Sequence, residues 1–376
     1  MTRTPPATSA PSATATAPAG VSQWRLMARK FVRNRLAIIG MVMVGVLYFA
    51  ALFAEFLSPY YVNTIHDEYV QVPPQLPRFV DADGRFHLRP FVYGWEQKRD
   101  LETFRVTFER DTSQLYPLRL FVRGDSYRWW GLFETDLHLV GAEYPGVWFL
   151  LGTDNTGKDM LTRIFYGARV SLTVGLIGVI FSIILGTLLG IASGYFGGVI
   201  DNVIQRIIEL MLAFPRIPLW MALAAALPPR WHPLMVYFGI TIVLSLASWG
   251  GLARQLRGKV LAMRQQEFVL AARASGVATL PIIVRHLMPN TLSHIIVIGT
   301  LSIPFMILGE TALSFLGLGI RPPMTSWGVL LNQAQRVNVL LYAPWLAIPV
   351  FFVIAAVLAF NFLGDGLRDA ADPYSL

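Results

Sequence analysis

Long apolar runs separated by short polar connections dominate the chain. Residues 36–54, 170–200, 235–253 and 342–363 contain no charged side chain. Two further runs, 203–227 and 292–318, are apolar apart from isolated charges, among them Glu209, Arg216 and Glu310. A helix needs about 20 apolar residues to cross a bilayer core, so the pattern predicts six transmembrane helices. Residues 58–165 read differently, with mixed charge and abundant aromatics and prolines. Segment 103–109 alternates apolar and polar positions through Phe104, Val106 and Phe108, as a half-buried strand does. Segments 118–122 and 127–133 also read as strands, divided by a turn at Gly124-Asp125. The predicted fold class is an all-α polytopic membrane protein with a small β-rich insert after the first helix.

Composition supports this picture. Mean hydropathy is +0.51, and 14% of residues are charged, which excludes an ordinary soluble domain. The absence of cysteine excludes disulfides and thiolate chemistry. The six histidines are scattered, so no metal centre is predicted. Residues 1–23 are mostly Ala, Thr, Pro and Ser and are expected to be disordered. The first apolar run is too long and starts too late for a signal peptide.

Charge sets the orientation. Arg25, Arg29, Lys30, Arg33 and Arg35 precede the first run, and residues 1–35 hold no acid. The positive-inside tendency places that end in the cytoplasm. Six crossings then return the C-terminus there, together with the loop between the fourth and fifth helices. That loop carries Arg254, Arg257, Lys259, Arg264, Arg273 and Arg285 against a single acid, Glu267. Residues 24–57 thus form a lead-in and first helix, 58–165 an external insert, and 166–376 a five-helix core. The net charge of +8 follows largely from this asymmetry, with no basic face of a soluble domain for nucleic acid.

The cytoplasmic loop has an internal order that topology alone does not require. Residues 267–276 predict a short helix ending in the small residues Ala271, Ala272, Ala274, Ser275 and Gly276. Gly276 suits a helix end with positive φ. Thr279 and Pro281 suit the start of a second short helix, stopped by Pro289-Asn290. A bare helix end among charges fits a groove on another protein. The plainer reading is a basic loop that fixes topology and meets anionic lipid.

Gly152-Thr-Asp-Asn-Thr-Gly157-Lys158-Asp159 nearly spells a phosphate-binding loop. Asp159 stands where a hydroxyl residue would bind Mg²⁺, and there it would repel phosphate. The segment is therefore read as an external turn entering the second helix, with Asp154 as cap and Asp159 in the first turn. Charges at membrane depth are functional candidates by default. Arg216, between Pro215 and Ile217-Pro218, and Glu310 either face a translocation path or form an ion pair with each other or with Glu209. Trp249-Gly250-Gly251 suits a kink or a close helix contact, with simple packing as the plainer reading.

The loop resembles the cytoplasmic coupling motif of ABC importer permeases. Ala271-Ala272 and Gly276 match it, Met288-Pro289 stands for its Leu-Pro, and Leu270 occupies its glutamate position, with Glu267 one turn earlier. The ordered set goes further. Arg285-His286-Leu-Met-Pro289-Asn290, the 152–159 turn, Arg169-Val-Ser-Leu, Gly194-Tyr-Phe-Gly-Gly198, the 310–319 segment and the 364–373 tail together resemble the C-type permease of dipeptide/oligopeptide importers. The resemblance covers 24–57 and 148–376; the insert is longer than is usual for that family.

This resemblance implies a multi-pass protein of the bacterial inner membrane that pairs with a second, homologous permease. Two cytoplasmic ATPases would bind the ATP and Mg²⁺, and an external solute-binding protein would deliver peptide. The chain itself would bind no cofactor and hydrolyse nothing. Coupling helices at about 259–290 would meet the ATPases through Glu267, Ala271, Ala272, Arg273, Gly276, His286, Pro289 and Asn290. Carriage of nickel, opines or other peptide-like solutes is the alternative within transport. A polytopic membrane enzyme would need clustered His, Asp or Glu at membrane depth, and the sequence offers no such cluster.

Overall fold

The computed structural model describes residues 23–99, 101, 106–228 and 230–371. The expected disorder of the first residues, Phe104 and the end of the tail motif lie largely or wholly outside this range. Helices α1 (Gln23–Arg33) and α2 (Arg35–Leu52) open the chain, and α3 (Ala54–Leu57) leads into the insert. The insert is an antiparallel meander of β1 (Arg78–Val80), β2 (Phe86–Arg99), β3 (Val106–Trp129) and β4 (Phe133–Ala142). The remainder is helical: α4 (Met160–Phe196), α5 (Gly198–Ala213), α6 (Arg216–Ala225), α7 (Pro233–Leu246), α8 (Trp249–Met263), α9 (Glu267–Ala274) and α10 (Thr279–Ile282). A π-helical turn (Ile283–Leu287) joins α10 to α11 (Met288–Phe315). Helices α12 (Trp327–Gln333) and α13 (Val337–Tyr342) and a 3-10 turn (Pro344–Ala347) precede α14 (Pro349–Ala371).

Among the described residues, five helical stretches are long and apolar enough to cross a membrane, and the bent pair α5–α6 makes a sixth if counted as one span. That third span is not the straight helix its composition suggests. It turns by 94° between α5 and α6. Phe214 has ψ 140° and precedes Pro215, and a residue before proline is driven out of the helical region. The second span begins earlier and ends earlier than its charge-free run, because Gly197 and Gly198 both take positive φ and close α4. In the fourth span the break falls at Ala247-Ser248, just before Trp249.

Helix α4 is the centre of the bundle. It packs against α8, α11 and α7 around Leu172, Ile240, Leu244, Met306, Ile307 and Trp327, all buried. The α4–α8 seam is closest along Gly186, Gly190 and Gly194. A Cβ at Gly190 would lie 2.6 Å from the Ala253 carbonyl oxygen. Small residues let helix backbones meet where lipid offers no hydrophobic drive for association.

The insert departs from expectation at one point. Gly124-Asp125 is not a turn; β3 runs through it with a register irregularity between Arg123 and Tyr127. A side chain at Gly124 would strike the His138 ring, 2.9 Å away. His138 is buried, its Nδ1 2.6 Å from the Ser58 carbonyl oxygen. The chain reverses instead after Trp129, where Trp130 and Gly131 both have positive φ.

Candidate functional site

The 254–290 segment forms a compact projection built on the end of α4. One side is anchored: Val269 of α9, Ile282 of α10 and Leu287 of the π turn bury against Val260, Ile191 and Tyr195. The rest is open. Glu267, Ala271, Arg273, Ala274, Ser275 and Gly276 are exposed, as are Phe268, Leu270, Val277, Leu280 and Val284. Helix α9 ends in a Schellman cap, with Val277 N–H donating to the Ala272 carbonyl at 3.0 Å and Gly276 N–H to Arg273 at 2.9 Å. Gly276 has φ +74°, a conformation that side chains disfavour.

Pro289 does not stop the second helix. Helix α10, the π turn and α11 run on as one stretch from 279 to 315. A proline in a helix removes one N–H donor and crowds the carbonyl four residues back. The widened turn at Ile283–Leu287 sits where that defect falls, with Met288 N–H bonding to the Ile283 carbonyl. Asn290 then donates from Nδ2 to the His286 carbonyl at 2.6 Å. The projection and the fifth span are therefore mechanically continuous. His286 lies over Phe268, ring centroids 6.3 Å apart.

A polar clamp beneath the projection fixes it to α4 and α5. The Arg257 guanidinium donates to both Asp201 carboxylate oxygens at 2.6 Å. Asp201 also accepts from Ser193 Oγ at 2.5 Å, and Gln205 donates to Ser193. Arg264 reaches the Tyr195 carbonyl at 3.2 Å, and Arg273 stacks over the Tyr195 ring at 4.8 Å. Asp201, Arg257 and Ser193 escaped the sequence reading, which counted Arg257 only as a loop charge. The available signal was a lone acid opening α5 opposite arginines seven residues apart.

The charges at membrane depth lie in different settings. Glu310 is fully buried. It accepts hydrogen bonds from Ser171 and Ser314 hydroxyls, each at 2.8 Å. Ser171 in turn accepts from Trp327 N–H at 3.2 Å. The hub thus pins the start of α12 to α4 and α11. The expected ion pair is not formed: among the described residues neither Glu310 nor Glu209 pairs with Arg216, and Glu209 pairs with Arg206 instead. The bend at Pro215 separates Arg216 from the face carrying Glu209. Arg216 is exposed at the start of α6 and lines a cleft of about 240 Å³ with Ser182, Trp220, Gln255, Ser302 and Phe305.

The 152–159 turn is a rivet between insert and bundle. Asp154 is buried, accepts from Thr156 N–H at 2.7 Å and Lys158 N–H at 3.0 Å, and pairs with Arg163. Asp159, not Asp154, caps the helix: its carboxylate accepts from Thr162 N–H at 2.7 Å. Burial pushes the Asp159 carboxyl up to about 7. Gly152 and Gly157 take positive φ against the Val72 and His66 carbonyls. Trp345 closes the rivet by donating to the Thr153 carbonyl at 3.0 Å. Farther along α4, Arg169 clamps the C-terminal end of the first span, bonding both Glu55 oxygens at 2.6–2.7 Å and the Ala51 carbonyl at 3.0 Å.

Residues 186–374 match the family model described as the binding-protein-dependent transport system inner membrane component. The chain belongs to this family. Residues 22–74 also match the N-terminal transmembrane domain of oligopeptide transport permease C. The permease is 39% identical over 250 residues to the oligopeptide transport system permease protein OppC of Salmonella typhimurium, covering 65% of this chain and 76% of that one. It is 44% identical to the dipeptide permease DppC of Alkalihalophilus pseudofirmus, covering 60% and 71%. It is 36% identical to the glutathione permease GsiD of Escherichia coli, covering 72% and 88%. Among solved structures, the inward-facing MetNI methionine ABC transporter aligns with TM-score 0.43 and 17% identity, over 56% of this chain and 97% of that one. Family and apolar helices together make the permease a multi-pass inner-membrane transport subunit.

Proposed function

We propose that this chain forms half of the translocation pathway of an ATP-driven importer of di- or oligopeptides. A second, homologous permease completes the pathway, two cytoplasmic ATPases power it, and an external solute-binding protein loads it. ATP and Mg²⁺ sit on the ATPases. The chain's termini and the α9–α10 projection face the cytoplasm, in keeping with the basic charge around them. The observation that carries the coupling role is the exposed, Schellman-capped projection, held to α4 by the Arg257–Asp201 clamp and continuous with α11. A short helix fixed in this way moves as a unit with the spans when a partner groove pushes it.

Glu267, Ala271, Ala272, Arg273 and Gly276 form the contact surface in this reading, with His286, Pro289 and Asn290 in the hinge above it. Arg216 faces the pathway. The 58–147 part of the insert meets the binding protein or roofs the outer mouth. The names of relatives at 36–44% identity support peptides as the cargo class.

The test is uptake into proteoliposomes holding the assembled transporter. Labelled tripeptide should accumulate only with ATP, the binding protein and every subunit present. Accumulation of Ni²⁺ without peptide would remove the peptide assignment and leave the permease intact. Full uptake without this chain would remove both.

A further inference from the structure

The β3–β4 hairpin tip is the membrane-proximal end of the insert. The Trp130 indole N–H donates to the carbonyl of Leu52 at 2.8 Å, the last residue of the apolar helix α2. From there the chain and the sheet leave the membrane side by side. Ser58 meets His138, and Tyr61 N–H donates to Asp125 at 2.9 Å. Moving outward from Leu52 to Tyr61 thus follows β3 from its tip back toward Asp125. The Arg169 clamp on Ala51, Leu52 and Glu55 fixes the outer end of α2 against α4. The height of the tip relative to the spans is set by these bonds.

The tip is strongly apolar. Leu132 is 77% exposed, Phe133 54% and Trp130 47%. These side chains continue an open stripe on α2, where Val42, Val46 and Phe49 are exposed at helical spacing. Phe49 contacts Phe53 at 4.7 Å between ring centroids, Phe53 contacts Trp130 at 6.0 Å, and Trp129 stacks on Phe56 at 5.9 Å. A stripe of that kind on a spanning helix faces acyl chains, and tryptophans gather where such a surface reaches the headgroups. Arg128 is exposed beside the tip, where its guanidinium can meet lipid phosphate.

We propose that the β3–β4 tip inserts into the headgroup–acyl boundary of the outer leaflet and moors the insert to the bilayer beside the first span. The occupant of this surface is lipid, because the exposed side chains are continuous with the lipid-facing stripe of α2. The mooring leaves the far part of the sheet, around Leu88 and Leu120, standing in water. Leu120 lies nine residues before Trp129 in β3, on the other side of the register irregularity between Arg123 and Tyr127.

This chain contains no cysteine, so one introduced thiol is unique within it. Leu132→Cys and Leu88→Cys are made separately in the complete transporter, with partner-subunit cysteines replaced. Each is spin-labelled in lipid nanodiscs, and its collision rates with oxygen and with a water-soluble nickel chelate are measured. Both side chains are exposed, so neither change threatens folding; Phe133→Cys repeats the tip measurement. The oxygen-to-nickel ratio is expected to be severalfold higher at 132 and 133 than at 88, and to fall when detergent replaces lipid. Equal ratios at all three positions would put the tip in water and overturn the mooring. A tip label shielded from both reagents would place it against a partner protein, which also overturns it.

Discussion

Glu310 is a fully buried acid within a membrane-spanning helix. Its carboxylate is held by serine hydroxyls, not by a cation. Glu310→Gln keeps an acceptor oxygen for this hub and should leave assembly and uptake near wild type. Glu310→Ala leaves the Ser171 and Ser314 O–H donors without their acceptor at about 1–3 kcal/mol each and should lower thermal stability of the complex. Melting curves of the two variants check this; equal destabilisation would show that charge, not hydrogen bonding, is what the site uses. Asp159 gives a pH dependence. Its folded-state carboxyl titrates near 7, above the usual carboxylate range, because burial disfavours its charge. The stability it lends is full below the unfolded-state value near 4 and is lost as pH rises through about 7. The melting temperature should fall between pH 5 and pH 8, and Asp159→Asn, which retains a capping oxygen, should flatten that slope. An unchanged slope would show that Asp159 is already ionised when folded. The sequence named Glu310, Asp154 and Asp159 but not their partners: Ser314 lies one turn from Glu310 on the same helix, whereas Ser171, on α4, reaches it only through the fold.

At the scale of elements, what could be read depended on whether local chemistry was decisive. The apolar runs located the candidate spans among the described residues, because membrane depth admits little else. The Schellman end at Gly276 was legible because four small residues and a glycine meet there. Pro289 misled, since a π turn absorbs its missing donor and the helix continues. Gly124-Asp125 misled in the same way: the glycine makes room for His138, a contact fixed by tertiary packing. Invisible in the sequence was the register of α4 against α8. Glycines spaced four apart suggest a close seam but do not name its partner. Gly190→Val would drive a branched side chain into the Ala253 backbone and should cost about 1–3 kcal/mol. It should reduce recovery of the assembled complex, measured by co-purification of all subunits. Gly251→Val on the same helix pair meets nothing within 4 Å and serves as the control. Equal recovery of both variants would show that the seam does not hold α8 in place.

For the whole molecule, the exposed faces of α5 and α11 and the open projection imply that the chain is built for a larger assembly. Expressed alone in detergent it should aggregate or be degraded, and co-expression with its partner subunits should recover a monodisperse complex on size exclusion. A monodisperse, folded single subunit would contradict the heteromeric reading. The central claim is that the α9–α10 projection carries force between ATP hydrolysis and the pathway. The most direct test is the number of peptides imported per ATP hydrolysed by the reconstituted transporter, compared between wild type and Gly276→Val. The substitution lies outside the spans and forces a β-branched residue into φ +74°. Assembly and hydrolysis should persist while peptide uptake falls by roughly tenfold, within the scale of a coupling free energy of about 1–3 kcal/mol. An unchanged ratio of peptide to ATP would contradict the assignment of the projection as the coupling element.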